Sequence, residues 1–175
     1  VYKNKYYGLR IFKGPEKVIT FGGITITLHS PAEFFVTDFQ GRRTGFDPIT
    51  NTSYEEIPGA FYGDEGLEDL TSDSPGAEWK MFDVAEPADG SYETTVTGTA
   101  SGTYRLRIRT WDREAEDQGQ ADFDGIPTAP GVVHKYTFTY SATPGTPMQL
   151  SGGFDGHGQR PSDVNKFLTY ANPSS

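Results

Sequence analysis

Residues 90–112, GSYETTVTGTASGTYRLRIRTWD, decide the fold class of this chain. Two runs within the stretch alternate apolar with polar residues, which is the period of a β-strand that buries one face. Tyr92 and Val96 mark the apolar face of the first run, and Leu106 and Ile108 mark that of the second. The stretch therefore predicts two neighbouring strands of an antiparallel β domain.

The link between the two runs predicts how they pair. Residues 100–102 read Ala-Ser-Gly, and a glycine supplies the left-handed backbone that a three-residue hairpin loop needs. With that turn, Val96 opposes Leu106 on the buried face, and Glu93 opposes Arg109 on the solvent face. A shift by one residue would bury an arginine, which is costly. We therefore predict a β-hairpin with this register.

The composition of the whole chain restricts its class. The chain has 175 residues, a net charge of −9 and no cysteine. Disulfide and thiolate chemistry are thus excluded, and the acidity argues against nucleic acid or anionic membrane as a partner. No apolar run approaches the ~18 residues of a membrane span. Abundant Gly, Pro, Tyr, Phe and Thr favour strands and turns, as in secreted bacterial β domains, so we expect an extracellular or cell-surface location.

Strand patterns and turn signals recur along most of the chain. We predict roughly eight to ten short strands, hence an all-β antiparallel β-sandwich, immunoglobulin-like or jelly-roll-like. Residues 33–38 are apolar on both faces and predict a central strand, residues 51–62 predict a short edge strand at best, and residues 112–130 show no periodicity and predict a long loop. The predicted organisation is an N-terminal strand or arm (1–17), the sandwich (18–154) and a tail toward a following domain (155–175).

Several motifs resemble those of a known kind of module. Residues 30–38 (SPAEFFVTD), 41–48 (GRRTGFDP) and 56–60 (EIPGA), with the stretch quoted first, are similar to immunoglobulin-like and pre-peptidase C-terminal modules of large secreted bacterial proteins. The resemblance implies an accessory β-sandwich beside hydrolase or adhesion domains, and its motifs are structural. Phe39 replaces the proline that usually follows Thr-Asp in such modules.

Catalytic chemistry has little support. The three histidines, His29, His134 and His157, lie in separate contexts, and no nucleophile has an evident base. His134 lies on the apolar face of a strand, which favours a core histidine. We therefore predict that the chain is not an enzyme.

Calcium is the better-motivated ligand, because clustered carboxylates in a flexible loop supply the oxygens that this ion prefers. The alternative is a solvated acidic loop. A second, weaker set is Asp38, Asp47 and Asp64. The candidate calcium ligands are Asp112, Glu114, Asp117, Asp122 and Asp124.

A ligand surface is a second candidate site, because Trp111 falls on the solvent face of its strand. In the alternative, Trp111 packs beneath the loop at 112–130, and the arginines of its strand pair with Glu93 and the acids of that loop. The candidate ligand-binding residues are Trp111, Trp79, Tyr62, Arg105, Arg107 and Arg109.

Three functions follow as expectations. The first is a non-catalytic module for spacing, domain packing or protein contact, with neighbouring domains or identical subunits as partners. The second is a carbohydrate-binding module that binds polysaccharide through Trp111, Trp79 and Tyr62. The third is a filament subunit in which residues 1–12 add a strand to a neighbour. We expect residues 1–12 to pack on their own sheet, and residues 164–170, as helix or strand, to contact a neighbour.

Overall fold

A computed structural model describes residues 21–29, 31–64, 79–151 and 154–155. Within these ranges the chain forms two antiparallel sheets that pack face to face, and it contains no helix, which confirms the predicted β-sandwich. The strands are β1 (Gly23–His29), β2 (Ala32–Thr37), β3 (Arg43–Asp47), β4 (Thr52–Glu55), β5 (Ala60–Asp64), β6 (Trp79–Ala85), β7 (Gly90–Gly98), β8 (Gly102–Trp111), β9 (Asp117–Thr128), β10 (Val133–Tyr140), β11 (Gln149–Leu150) and β12 (Phe154–Asp155).

The two sheets differ in size. The five-stranded sheet has the order β5-β6-β1-β8-β9, and the seven-stranded sheet has the order β11-β10-β7-β2-β3-β4, with β12 also paired to β10. The predicted central strand at 33–38 is confirmed, because β2 lies between β7 and β3. The region 51–62 contributes two edge strands, β4 and β5, rather than one.

The core lies between the sheets and is built from the inward-facing side chains, which occupy every second position of each strand. Ile26, Leu106 and Phe123 come from one sheet, and Phe34 and Phe138 come from the other; all five are fully buried. Removing one such side chain from water stabilises the fold by about 1.5–3 kcal/mol. The alternation that fills this core also leaves every other side chain on an outer face.

The predicted hairpin is wrong, because β7 and β8 lie in different sheets. Val96 opposes Phe34 and His134, whereas Leu106 belongs to the other sheet. At the end of β7 the backbone turns away, since Gly98 N donates to Val132 O at 2.8 Å. Both strands bury the face that their alternation predicts. Two strands that each bury one face show this alternation whether they pair within one sheet or pack against each other from two sheets.

The predicted register of the outer residues is wrong for the same reason. Glu93 pairs with Thr137 and Thr37, and Arg109 pairs with Thr25 and Gln120.

The predicted loop at 112–130 is also wrong, because most of it forms β9, the longest strand described. The pairing of β9 with β8 shifts register twice, between Tyr104 and Leu106 and between Thr110 and Trp111. A bulge places two residues opposite one and breaks the period of two. The broken period concealed a strand whose acids face the arginines of β8.

Other expectations fall on residues that the structure does not describe. The N-terminal arm (1–17) and nearly all of the C-terminal tail (155–175) lie outside the described residues. The assignments of residues 1–12 and 164–170 therefore stay predictions.

Candidate functional site

The solvent-facing side of the five-stranded sheet is the surface on which most candidate ligand residues lie. We call it the outer face, and its residues follow from the strand registers. They are Phe61 and Gly63 on β5; Trp79, Met81, Asp83 and Ala85 on β6; Gly23, Thr25, Thr27 and His29 on β1; Arg105, Arg107, Arg109 and Trp111 on β8; and Asp117, Gln120 and Asp122 on β9.

The β5–β6 half of the outer face is apolar except for Asp83, which lies opposite Phe61 and accepts a hydrogen bond from the Thr25 hydroxyl at 2.6 Å. Phe61 is 52% exposed and Trp79 is 45% exposed, and Met81 lies partly exposed in the same half. Phe61 lies across Gly63, where a Cβ atom would approach its Cζ to 2.7 Å. The glycine thus lets the ring lie flat on the sheet. Large aromatic side chains that remain exposed on one face of a sheet are typical of contact surfaces.

The β8–β9 half is charged and cross-linked by ion pairs. Arg107 Nε donates to Asp122 Oδ1 at 2.7 Å, and a terminal nitrogen of Arg105 lies 3.5 Å from the same oxygen. Arg109 contacts Asp117 at 3.3 Å. Burial raises the pKa of Asp122, but the hydrogen bonds from Arg107 and Gln120 outweigh it, so the pKa lies below its ordinary value.

These contacts confirm the predicted pairing of the arginines with the acids of 112–130. The predicted partner Glu93 is wrong, because its carboxylate accepts from Lys135 Nζ at 2.7 Å on the other sheet.

His29 stands between the two halves at one end of the face. In the sheet register it lies directly opposite Trp79 on one side and Arg105 on the other. Its ring centroid is 3.4 Å from that of Trp79, with the planes tilted by 55°. Burial, and then the charges of Arg105 and Arg107, lower the pKa of His29 against the opposing charge of Asp124. The imidazole is therefore neutral at neutral pH.

Trp111 lies at the opposite end of the face. Its Nε1 donates to Phe21 O at 3.1 Å, and its ring packs on Gly23, where a Cβ would come within 2.3 Å of it. Trp111 is thus half-buried on the backbone before β1 rather than beneath a loop at 112–130. Trp79 and Trp111 flank the two ends of β1, roughly 20 Å apart at 3.3 Å per residue.

Tyr62 is on the inner side of the sheet, opposite Phe82. Its hydroxyl donates to Glu33 Oε2 at 2.8 Å, and its ring meets Phe34 edge to face at 5.1 Å. Trp111, Trp79 and Tyr62 therefore do not form one platform.

Three of the five candidate calcium ligands, Asp112, Asp117 and Asp122, already have other partners. Buried Asp112 accepts from the backbone N–H groups of Glu114 at 2.9 Å, Glu116 at 3.2 Å and Gly145 at 3.2 Å. Asp122 and Asp117 are paired with arginines as described above. In the second set, the Asp38 carboxylate accepts hydrogen bonds from the backbone N–H groups of Gln40 and Arg42 and from the Arg42 guanidinium. Among the described residues, no three His, Cys, Asp or Glu side chains gather in a way that fits a metal.

A buried polar cluster in the core was not predicted from the sequence. Tyr104 Oη lies 2.7 Å from His134 Nδ1 and 2.5 Å from Tyr136 Oη. Burial raises the pKa of Tyr136 to about 12 and also raises that of Tyr104. The prediction of His134 as a core histidine is confirmed. Alternation places all three side chains inward, but a sequence does not show which inward residues meet across the core.

The fold and this surface define the class: an antiparallel β-sandwich with one half-apolar, half-ionic outer face. Comparison of the chain with protein-family models, with curated proteins and with solved structures finds no match. In the described part of the chain, no helix of a length and apolarity suited to crossing a membrane occurs.

Proposed function

We propose that this chain is a non-catalytic, extracellular accessory module that uses Phe61 and Met81, in the apolar half of its outer face, to contact a neighbouring domain or an identical subunit. The observation that carries the proposal is Phe61, whose side chain is 52% exposed on the outer face and lies over Gly63, the register partner of Met81. Covering such a ring is favourable by about 25 cal/mol per Å² of apolar area. The resemblance to accessory modules of secreted bacterial proteins points in the same direction.

The other sheet supports the assignment by contrast. On its outer side Phe35 and Tyr54 meet edge to face at 5.6 Å, and the Arg43 guanidinium lies 3.8 Å above the Tyr54 ring. Phe35 fills the space over Gly45, where a Cβ would come within 2.5 Å of its Cα. These aromatic groups are covered by one another and by Arg43, whereas the Phe61 ring, which lies on Gly63, keeps its outer side open to solvent.

The chemistry of the polar residues supports a non-catalytic role. A catalytic acid or base needs a partner arrangement that leaves it able to transfer a proton. Here Asp122 is fixed by two arginines and Asp112 by backbone N–H groups. His134 is enclosed with Tyr104 in the core. Each group is engaged in holding the fold.

The test is a photo-cross-linker at position 61 in the protein as its own cells secrete it. We expect benzoylphenylalanine in place of Phe61 to cross-link to another domain or to a second copy of the chain. The matched control is the same replacement at Phe39, which is 48% exposed on the turn after β2. Cross-links from position 61 that do not exceed those from position 39 would contradict the proposed contact surface.

A further inference from the structure

The end of the outer face where Trp79, His29 and Arg105 meet is chemically different from the rest. We call these three residues the Trp79 corner. They occupy one row across β6, β1 and β8, because His29 pairs with Trp79 in one register and with Arg105 in the other. An exposed indole, an imidazole and a guanidinium thus lie side by side.

The indole is held in place and still open to solvent. Trp79 remains 45% exposed, while its ring contacts His29 at a centroid distance of 3.4 Å. The contact fixes the ring orientation, and an aromatic ring whose orientation is already fixed loses little entropy on binding. The exposed part of Trp79 is a stacking surface.

The guanidinium of Arg105 has N–H donors that can bind a ligand. Its contact with Asp122 is 3.5 Å long, and its side chain is 40% exposed. The same Asp122 oxygen is bonded more closely by Arg107 at 2.7 Å, and Gln120 Nε2 donates to the other oxygen. A guanidinium carries five N–H donors in a planar fork that suits a carboxylate. Arg105 is therefore the arginine of this strand best placed to take a second carboxylate.

The distance between Trp79 and Arg105 restricts the chemical class of the ligand. The strands that carry Trp79 and Arg105 are separated by β1, so their backbones lie roughly 9.6 Å apart. A pyranose has an apolar C–H face that stacks on an indole, and a uronic acid carries its carboxylate at the rim of that ring. An aspartate or glutamate of a peptide has the charge without the flat apolar face. The corner thus combines the two features that a uronic acid presents together.

We propose that the Trp79 corner binds a uronic-acid unit of an acidic polysaccharide, with the sugar ring stacked on Trp79 and its carboxylate accepting hydrogen bonds from Arg105. His29 supplies a ring N–H or nitrogen to a neighbouring hydroxyl. The net charge of −9 opposes an anionic polymer at long range. At physiological salt the screening length is about 8 Å, so the local guanidinium dominates once the sugar is seated. This site does not depend on the domain contact at Phe61.

The experiment is calorimetric titration of the intact chain with oligomers of galacturonate, alginate and hyaluronan. Methyl-esterified galacturonate of equal length supplies a matched ligand without the charge. We expect the acid form to bind about tenfold more tightly than the ester, which corresponds to one charge-assisted contact. Trp79→Ala abolishes binding of both forms. Arg105→Gln lowers affinity for the acid to the level of the ester and leaves the ester unchanged.

The control variant is Arg109→Gln, which removes an arginine of the same strand and face that is paired with Asp117. It leaves affinity within about twofold, and circular dichroism confirms that each variant is folded. Failure of all three uronate oligomers to bind at millimolar concentration overturns the proposal. So does equal loss on Arg109→Gln and Arg105→Gln, and so does poly-glutamate binding as tightly as uronate, since charge alone would then explain the affinity. None of these results bears on the cross-links from position 61.

Discussion

The substitution Tyr104→Phe tests the buried polar cluster most directly. Tyr104 is 2% exposed, and its hydroxyl lies within hydrogen-bond distance of His134 Nδ1 at 2.7 Å and of Tyr136 Oη at 2.5 Å. Replacement by phenylalanine keeps the ring and removes only the oxygen. The two bonds contribute about 0.5–1.5 kcal/mol each, so we expect the free energy of unfolding to fall by about 1–3 kcal/mol.

Urea denaturation measures this loss. With a slope of about 2 kcal/mol per molar urea, the midpoint moves down by roughly 0.5–1.5 M without a change of slope. The matched control is Tyr92→Phe, which removes a single hydroxyl bond, to Ala88 O at 2.7 Å. We expect it to cost less than Tyr104→Phe.

A double-mutant cycle with Tyr136→Phe isolates the bond between the two tyrosines. Contacting polar residues show coupling of about 0.5–3 kcal/mol in such cycles. Because either hydroxyl is the other's partner, Tyr136→Phe should cost much less when Tyr104 is already phenylalanine. A Tyr104→Phe variant within about 0.5 kcal/mol of the parent chain, or strictly additive single losses, would refute the cluster as a stabilising network.

Three further predictions concern charge, backbone and metal. The fold lowers the pKa of Asp122 below its ordinary value of 3.8, so its contribution to stability is present above that value and is lost as pH falls through the folded pKa. Asp122→Asn should therefore flatten the loss of thermal midpoint in acid, and an unchanged acid profile would contradict this. Gly45→Ala should lower the free energy of unfolding by at least ~2 kcal/mol, because Gly45 has φ +131° and a Cβ there would meet Phe35 Cα at 2.5 Å. The control Gly41→Ala, at φ +80° with open space around it, should lower it by about 1 kcal/mol. Equal losses in chemical denaturation would show that the close approach is not the cause. The thermal midpoint should be the same in EDTA and in millimolar calcium, because Asp112 and Asp122 already have partners, and a rise of several degrees would restore the calcium hypothesis.

The inward and outward sides of most strands could be predicted from the sequence, because alternation is a local property. Tyr92 and Val96 face the core as the alternation predicts, and so do Leu106 and Ile108. The pairing of strands could not be predicted, because it depends on which residues meet at long range. The link at 99–101 carries the chain between sheets, and Gly102, for which a left-handed backbone is predicted, begins β8 without a positive φ.

The candidate site was predicted in part. Trp79 and Arg105 were identified as ligand candidates separately, but nothing in the sequence shows that β1 brings His29 between them. Phe61 was not selected, because its strand has no clear period and its exposure arises from a place at the edge of the sheet. The acids of β9 were identified as a cluster, and their pairing with arginines required the register of β8 against β9.

The passage of the chain from β7 to β8 across the core has a consequence for how this protein reaches its fold. Had the two strands paired side by side, a single tight turn would have offered an early nucleus with little loop entropy to overcome. Instead β1 must find β6 and β8, and β2 must find β7, all from distant parts of the chain. Proteins dominated by such contacts fold in milliseconds to seconds. During that interval the neighbouring pairs β2–β3 and β8–β9 can form alone, with their apolar faces uncovered, so refolding yield should fall steeply as protein concentration rises.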